Sequence, residues 1–166
     1  MHKVIDNFLN IEDFEAIQQR LMSSSFPWYY NDSMGEAGTT GSNNCFFHHH
    51  IYSKHKVWSD LFDIAEPLLK KLSVSALFEL RANLVVARDK TFQSDWHYDF
   101  NHKKGKTAVL YINDNNGYTV IDKFKKHKIE SKANRIVIFN NEQLHKMVSQ
   151  TNSQRRVVLN INFFQQ

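Results

Sequence analysis

Residues 155–164 read RRVVLNINFF, a β-branched and aromatic run with the pattern of a strand. Side chains two apart on a strand share a face, so Arg156 would point the same way as Val158, Asn160 and Asn162. Working back along the chain, NRIVIFN (134–140), GYTVI (117–121), KTAVLYIN (106–113) and FELRANLVVAR (78–88) have the same texture. Each is a short β-branched or aromatic segment bounded by polar turns, the pattern of successive strands in a sandwich or barrel.

The chain before these strands reads differently. Phe8, Ile11, Phe14, Ile17 and Leu21 recur at three- or four-residue steps and predict a helix, with Asn10 as its cap and Asp13 three residues on. FPWYYN (26–31) turns the chain toward extended structure. Residues 31–44, NDSMGEAGTTGSNN, hold three of the five glycines and read as a loop, either a surface excursion or a lid. A second helix is predicted over 56–72, with Val57, Leu61, Ile64, Leu68, Leu69 and Leu72 as its stripe and Pro67 kinking or dividing it. The expected organisation is one domain spanning 1–166. Its residues 1–75 form a helical support with a loop, and 76–166 form the β core.

Composition narrows the class. A chain of 166 residues with 42% hydrophobic and 23% charged residues can bury a core, which excludes disorder, collagen and coiled coil for the whole. Cys45 is the single cysteine, so neither an internal disulfide nor a thiolate zinc site is available. No apolar run approaches a membrane span, and the N-terminus lacks a signal-peptide core. An intracellular, cytoplasmic setting is expected. The net charge of +4 permits anionic partners without identifying one.

Chemistry concentrates in QSDWHYDF (93–100), where His97 and Asp99 would project together from an extended segment. His145 follows the apolar NRIVIFN run and can close a three-ligand face. Two imidazoles and one carboxylate with open positions are the facial triad of non-haem Fe(II) oxygenases. Eleven residues on, Arg156 offers a planar fork for a carboxylate, and Tyr111 a phenolic hydrogen bond to the same group.

These residues resemble the signature of the 2-oxoglutarate/Fe(II)-dependent dioxygenases. The nearest branch is the prolyl-4-hydroxylase-like one, with its short phage and bacterial members. The likeness covers about 80–163. It implies a mostly β, double-stranded β-helix (jelly-roll, cupin-like) core with N-terminal helices. It implies Fe(II) bound by His97, Asp99 and His145, 2-oxoglutarate anchored by Arg156 and Tyr111, and ascorbate as an accessory reductant. The reaction implied is C–H hydroxylation of a peptide (prolyl-type) or small-molecule substrate, with succinate and CO₂ as co-products, in a bacterial or phage-infected cell. Asn113 and Gly117 fall in the family's turn after the Tyr111 strand. The chain departs from the pattern at Asn162, where Trp is frequent, and at Ala87, where many members have Tyr. Arg155 competes with Arg156 for the anchor.

Rival readings are a silent metal-binding cupin-like barrel, a nucleobase-directed oxygenase and a nucleic-acid-binding accessory protein. Lys103, Lys104 and Lys106, then Lys123, Lys125, Lys126 and Lys128, read as solvated hairpin faces or as an electropositive rim. In His48-His49-His50 only the first and third share a strand face, and no third ligand stands out, so a structural run is expected. His102 and His127 are read as solvated, and Trp96 as packing.

Overall fold

The computed structural model describes residues 2–32, 45–100 and 102–166. Its elements begin with β1 (His2–Ile5), α1 (Ile11–Met22), β2 (Tyr29–Asn31), β3 (Phe46–Ser53), β4 (Lys56–Val57), α2 (Leu61–Ile64) and α3 (Glu66–Lys71). They continue with β5 (Val74–Val86), β6 (Lys106–Tyr111), β7 (Tyr118–Ile121), β8 (His127–Glu130), β9 (Ile136–Asn140), β10 (His145–Val148) and β11 (Arg155–Gln165). The large sheet runs β1-β9-β6-β11-β5-β3-β2 with β4 on β3, and the small sheet runs β10-β7-β8. All pairings are antiparallel. This is the mostly β, double-stranded β-helix architecture expected.

Two-residue alternation sorts the side chains. From β11, Val157, Leu159, Ile161 and Phe163 join Ala108, Leu110 and Ile136 in the main core, which also takes Phe14, Ile17 and Leu21 from α1. The other face sends Val158, Val109, Tyr111, Val137 and Phe139 against Ile121 and Ile129 of the small sheet. One face of the large sheet is thus sealed by helices, and the other closes on the small sheet. No helix among the described residues is long and apolar enough to cross a membrane.

Three expectations need correction. The first 75 residues are not only helical support, because β1 pairs with β9 and β3 with β5 inside the large sheet. The histidine run hid β3's alternation. The helix over 56–72 is broken: Lys54 and His55, both at positive φ, turn Lys56–Val57 back onto β3, and α3 starts afresh around Pro67. Proline lacks the N–H that would continue α2 and clashes with the preceding turn. Ile11 is 62% exposed and lies off the buried stripe of α1. The cap is as read, with Asn10 Oδ1 accepting from Asp13 N at 2.8 Å. The expected 31–44 loop lies outside the described residues beyond Asn31 and Asp32.

Leu159 is fully buried at the centre of β11. Leu159→Ala should destabilise the fold by about 2–5 kcal/mol, measured by chemical denaturation.

Candidate active site

The segment carrying His97 runs beside β10 and bridges it at Gln93–Val148 and His97–His145. His97 N donates to His145 O at 3.0 Å, and His145 N donates to His97 O at 3.1 Å. Residues paired this way point to the same side, so both imidazoles enter the space between the sheets. Asp99, two residues beyond His97, meets them. His97 Nε2 lies 3.6 Å from Asp99 Oδ1, and His145 Nε2 lies 3.4 Å from Asp99 Oδ2.

The other ring nitrogens face backbone carbonyls, Nδ1 of His97 at 2.8 Å from Asp95 O and Nδ1 of His145 at 3.4 Å from Gln143 O. With Nδ1 as the donor, both Nε2 lone pairs are left to converge beside the carboxylate. Burial alone would raise the pKa of Asp99. The imidazoles beside it, His145 foremost, instead hold it well below the usual carboxylate range, so it is an anion. Asn160 Nδ2 donates to Asp99 Oδ2 at 2.7 Å and fixes the carboxylate's orientation.

The donor set fits a divalent ion. Among the described residues it is the one group of three or more His, Cys, Asp or Glu whose ligand atoms lie within 4.8 Å of one another. Adjacent ligands about 2.1 Å from an ion sit roughly 3 Å apart, so small side-chain adjustments would close the triad on one. Two nitrogens and one carboxylate on a single face leave the remaining positions open.

The same cavity, about 350 Å³, also receives Arg156. Its Nε donates to Ser131 Oγ at 3.0 Å and its Nη2 to Thr119 Oγ1 at 3.2 Å, with the guanidinium 5.5 Å from the Tyr111 ring centroid. Burial draws its pKa down from the ordinary value, and Tyr111 opposes that shift. None of the ion pairs among the described residues involves Arg156. A buried cation held by hydroxyls and a ring face is a ready site for a carboxylate.

Arg155 points the other way, its Nη2 donating to Met22 O at the end of α1 at 2.7 Å. Asn113 pins this divergence, accepting from Val157 N at 3.0 Å and donating to Arg155 O at 2.9 Å. Gly117 presses against Arg156, and a Cβ there would stand 2.9 Å from Arg156 Cδ and 3.0 Å from Val148 O. Tyr111 does not line the cavity. It is fully buried, and its hydroxyl donates to Thr119 Oγ1 at 2.8 Å, so it lies behind Thr119.

Thr119, Ser131 and Asn160 were not singled out as holders from the sequence. Thr119 was legible in principle, because alternation in GYTVI puts it on the face of Ile121. Ser131 follows β8 and reaches Arg156 only through tertiary packing.

A second, larger groove of about 730 Å³ opens on the other side of Asp99. Tyr29, Trp58, Phe78 and Phe100 wall it, with His48, His50 and Glu79 among its polar groups. His48 and His50 share a face with ring centroids 4.8 Å apart, and His50 Nδ1 lies 3.4 Å from Glu79 Oε1. His49 is buried on the opposite face, its Nδ1 2.8 Å from Pro27 O. His102 stacks on Phe100, and His127 lies against His2. Asn162 Oδ1 accepts from Thr107 Oγ1 at 2.9 Å, well inside the sheet.

The sequence model of the 2OG-Fe(II) oxygenase superfamily matches residues 82–164, half of the chain, and takes in His97, Asp99, His145 and Arg156. The chain belongs to the 2OG-Fe(II) oxygenase superfamily. It is therefore a 2-oxoglutarate-dependent iron oxygenase, with iron as cofactor and 2-oxoglutarate as co-substrate. A search of curated proteins returns no match.

Solved structures share the fold. A Trichoplax adhaerens prolyl hydroxylase in complex with a hypoxia inducible factor oxygen degradation domain peptide fragment aligns with TM-score 0.64 and 12% identity over 98% of this chain and 83% of that one. A Pseudomonas putida prolyl-4-hydroxylase aligns with TM-score 0.58 and 11% identity over 99% and 92%. The epimerase SnoN in complex with Fe³⁺, alpha ketoglutarate and nogalamycin RO gives TM-score 0.64 and 12% identity over 99% and 78%. At these identities the likeness is one of fold.

Two variants probe how this oxygenase holds its site. Asn160→Ala removes the donor on Asp99 and should lower iron affinity about 10–100-fold, read by isothermal titration under anaerobic conditions. Gly117→Ala should displace Arg156 and raise the KM for 2-oxoglutarate by on the order of 10-fold, with iron affinity unchanged.

Proposed function

We propose that the protein hydroxylates a C–H bond of a peptide, with a small molecule as the alternative substrate class, and releases succinate and CO₂. In this reading His97, Asp99 and His145 hold Fe(II), and Arg156 holds the far carboxylate of 2-oxoglutarate. The observation that carries it is the buried Arg156 guanidinium, without a carboxylate partner, opening into the same cavity as the triad. A dicarboxylate fits that pairing, with one end for the metal and the other for the cation.

Iron and 2-oxoglutarate, once bound, supply with dioxygen the oxidising power for the C–H bond. The chain's own part is to bind, orient and exclude water. His97, Asp99 and His145 would hold the ion, and Asp99 stays ionised between its imidazoles and Asn160. Arg156 is aimed by Ser131 and Thr119, and Tyr111 acts as a positioning residue by fixing Thr119. Val109, Val158 and Met147 give the cavity an apolar wall.

The aromatic groove beyond Asp99 is the assigned seat of the primary substrate. Its rim residues Tyr29 and Trp58 are 57% and 54% exposed, so an extended chain can lie along it without threading a closed pocket. Prolyl hydroxylases are among the proteins sharing the fold, one of them with a peptide fragment bound.

The deciding experiment is an anaerobic titration with Fe(II) and 2-oxoglutarate, following the visible charge-transfer band of their chelate. The band should form in the wild type, vanish in His145→Ala and weaken by about 10-fold or more in apparent affinity in Arg156→Ala. A folded, iron-loaded wild type with no band, or a band indifferent to both variants, would overturn these residue roles. Succinate release with peptide pools, set against methylated oligonucleotides, then separates peptide from nucleobase substrates.

A further inference from the structure

The outer face of the small sheet carries basic and aromatic side chains that the oxygenase site does not use. Lys146 neighbours His145, and Trp96 neighbours His97, so both turn away from the triad. Lys146 Nζ lies 4.9 Å from the Trp96 ring centroid, and Lys128 Nζ lies 4.5 Å from that of Tyr118. Lys146 and Lys128 both register opposite Val120, on the same face.

The face ends at the β7–β8 turn, DKFKKH (122–127). Phe124 at its tip is 92% exposed, the most exposed large hydrophobic residue among those described. It is flanked by Lys123, Lys125 and Lys126, none of which forms an ion pair among the described residues. The turn is closed from within. Asp122 Oδ1 accepts from Phe124 N at 3.0 Å and from Lys125 N at 3.2 Å, and Asp122 O accepts from Lys126 N at 2.8 Å. A defined backbone therefore holds the ring out into solvent between cations.

We propose that this face and its tip bind single-stranded nucleic acid without sequence preference. Unstacked bases offer flat faces for Phe124, Trp96 and Tyr118, and Lys123, Lys125, Lys126 and Lys146 neutralise the intervening phosphates, the combination that single-strand binders use. Lys128 is paired with Glu130 at 3.2 Å. A lone phenyl ring among lysines has no apolar neighbour at the tip with which to enter a bilayer, so a lipid surface is the poorer fit. The catalytic cavity lies on the opposite face of the same sheet, so a bound strand would tether the enzyme while leaving the cavity open. Such binding needs neither iron nor 2-oxoglutarate.

The test is fluorescence anisotropy of labelled oligo-dT and oligo-U with the full chain between 50 and 200 mM salt. Binding should weaken with salt at a log–log slope of about −2 to −3, as expected for three or four phosphate contacts. Phe124→Ala should weaken it at least about fivefold. Lys123→Glu, Lys125→Glu and Lys126→Glu together should abolish it, with circular dichroism melts showing that the variants fold. His145→Ala should bind as the wild type does, which separates this face from the iron reading. Absence of oligonucleotide binding, or binding indifferent to both tip variants, would overturn the proposal. So would sedimentation with phosphatidylserine vesicles in the absence of oligonucleotide binding.

Discussion

The two-residue period of β11 is the constraint on which the rest of the molecule depends. One face of this strand supplies Val157, Leu159, Ile161 and Phe163 to the main core, and the other supplies Arg156, Val158, Asn160 and Asn162 to the space between the sheets. A slip of one residue would drive Arg156 and the two asparagines into hydrocarbon and turn the apolar set onto the site. Burial of the core therefore sets the orientation of the site. The pairing with β5 on one side and β6 on the other leaves β11 little freedom to shift.

Two opposite charges are buried in one cavity, and the protein treats them differently. Asp99 has two imidazole nitrogens beside it and an amide donor on Oδ2, which orient the carboxylate for a shared cation. Arg156 has hydroxyls and a ring face, which orient a guanidinium without neutralising it. An uncompensated buried cation is costly in the free protein, and a carboxylate ligand removes that cost on binding. A carboxylate from the chain itself beside Arg156 would remove that cost in the free protein.

The residues most legible from sequence were those whose chemistry is local. The pair His97 and Asp99 needs only the alternation of an extended segment, and the long apolar strands needed only composition and spacing. Arg155 and Arg156 were ambiguous, since two adjacent arginines read alike until Asn113 and α1 draw one of them to Met22 O. That the Tyr111 hydroxyl donates to Thr119 is not legible from the sequence, because which group a strand residue meets depends on what the facing sheet places in front of it. The helix expected over 56–72 divides around Pro67 as read, but its start differs, because the Lys54–His55 turn returns Lys56–Val57 to β3 and that pairing outweighs an apolar period.

Local sequence dictates which side chains can share a strand face, that a helix starts after Asn10 and another divides at Pro67, and that two imidazoles, a carboxylate and a guanidinium are available. These follow from backbone geometry over a few residues. Folding in three dimensions sets His97 across from His145, turns Ser131 and Thr119 onto Arg156, and makes two cavities meet at Asp99. Those contacts join residues tens of positions apart. They exist because sheet pairing and the burial of two cores bring the segments together, and no local period in the chain encodes that.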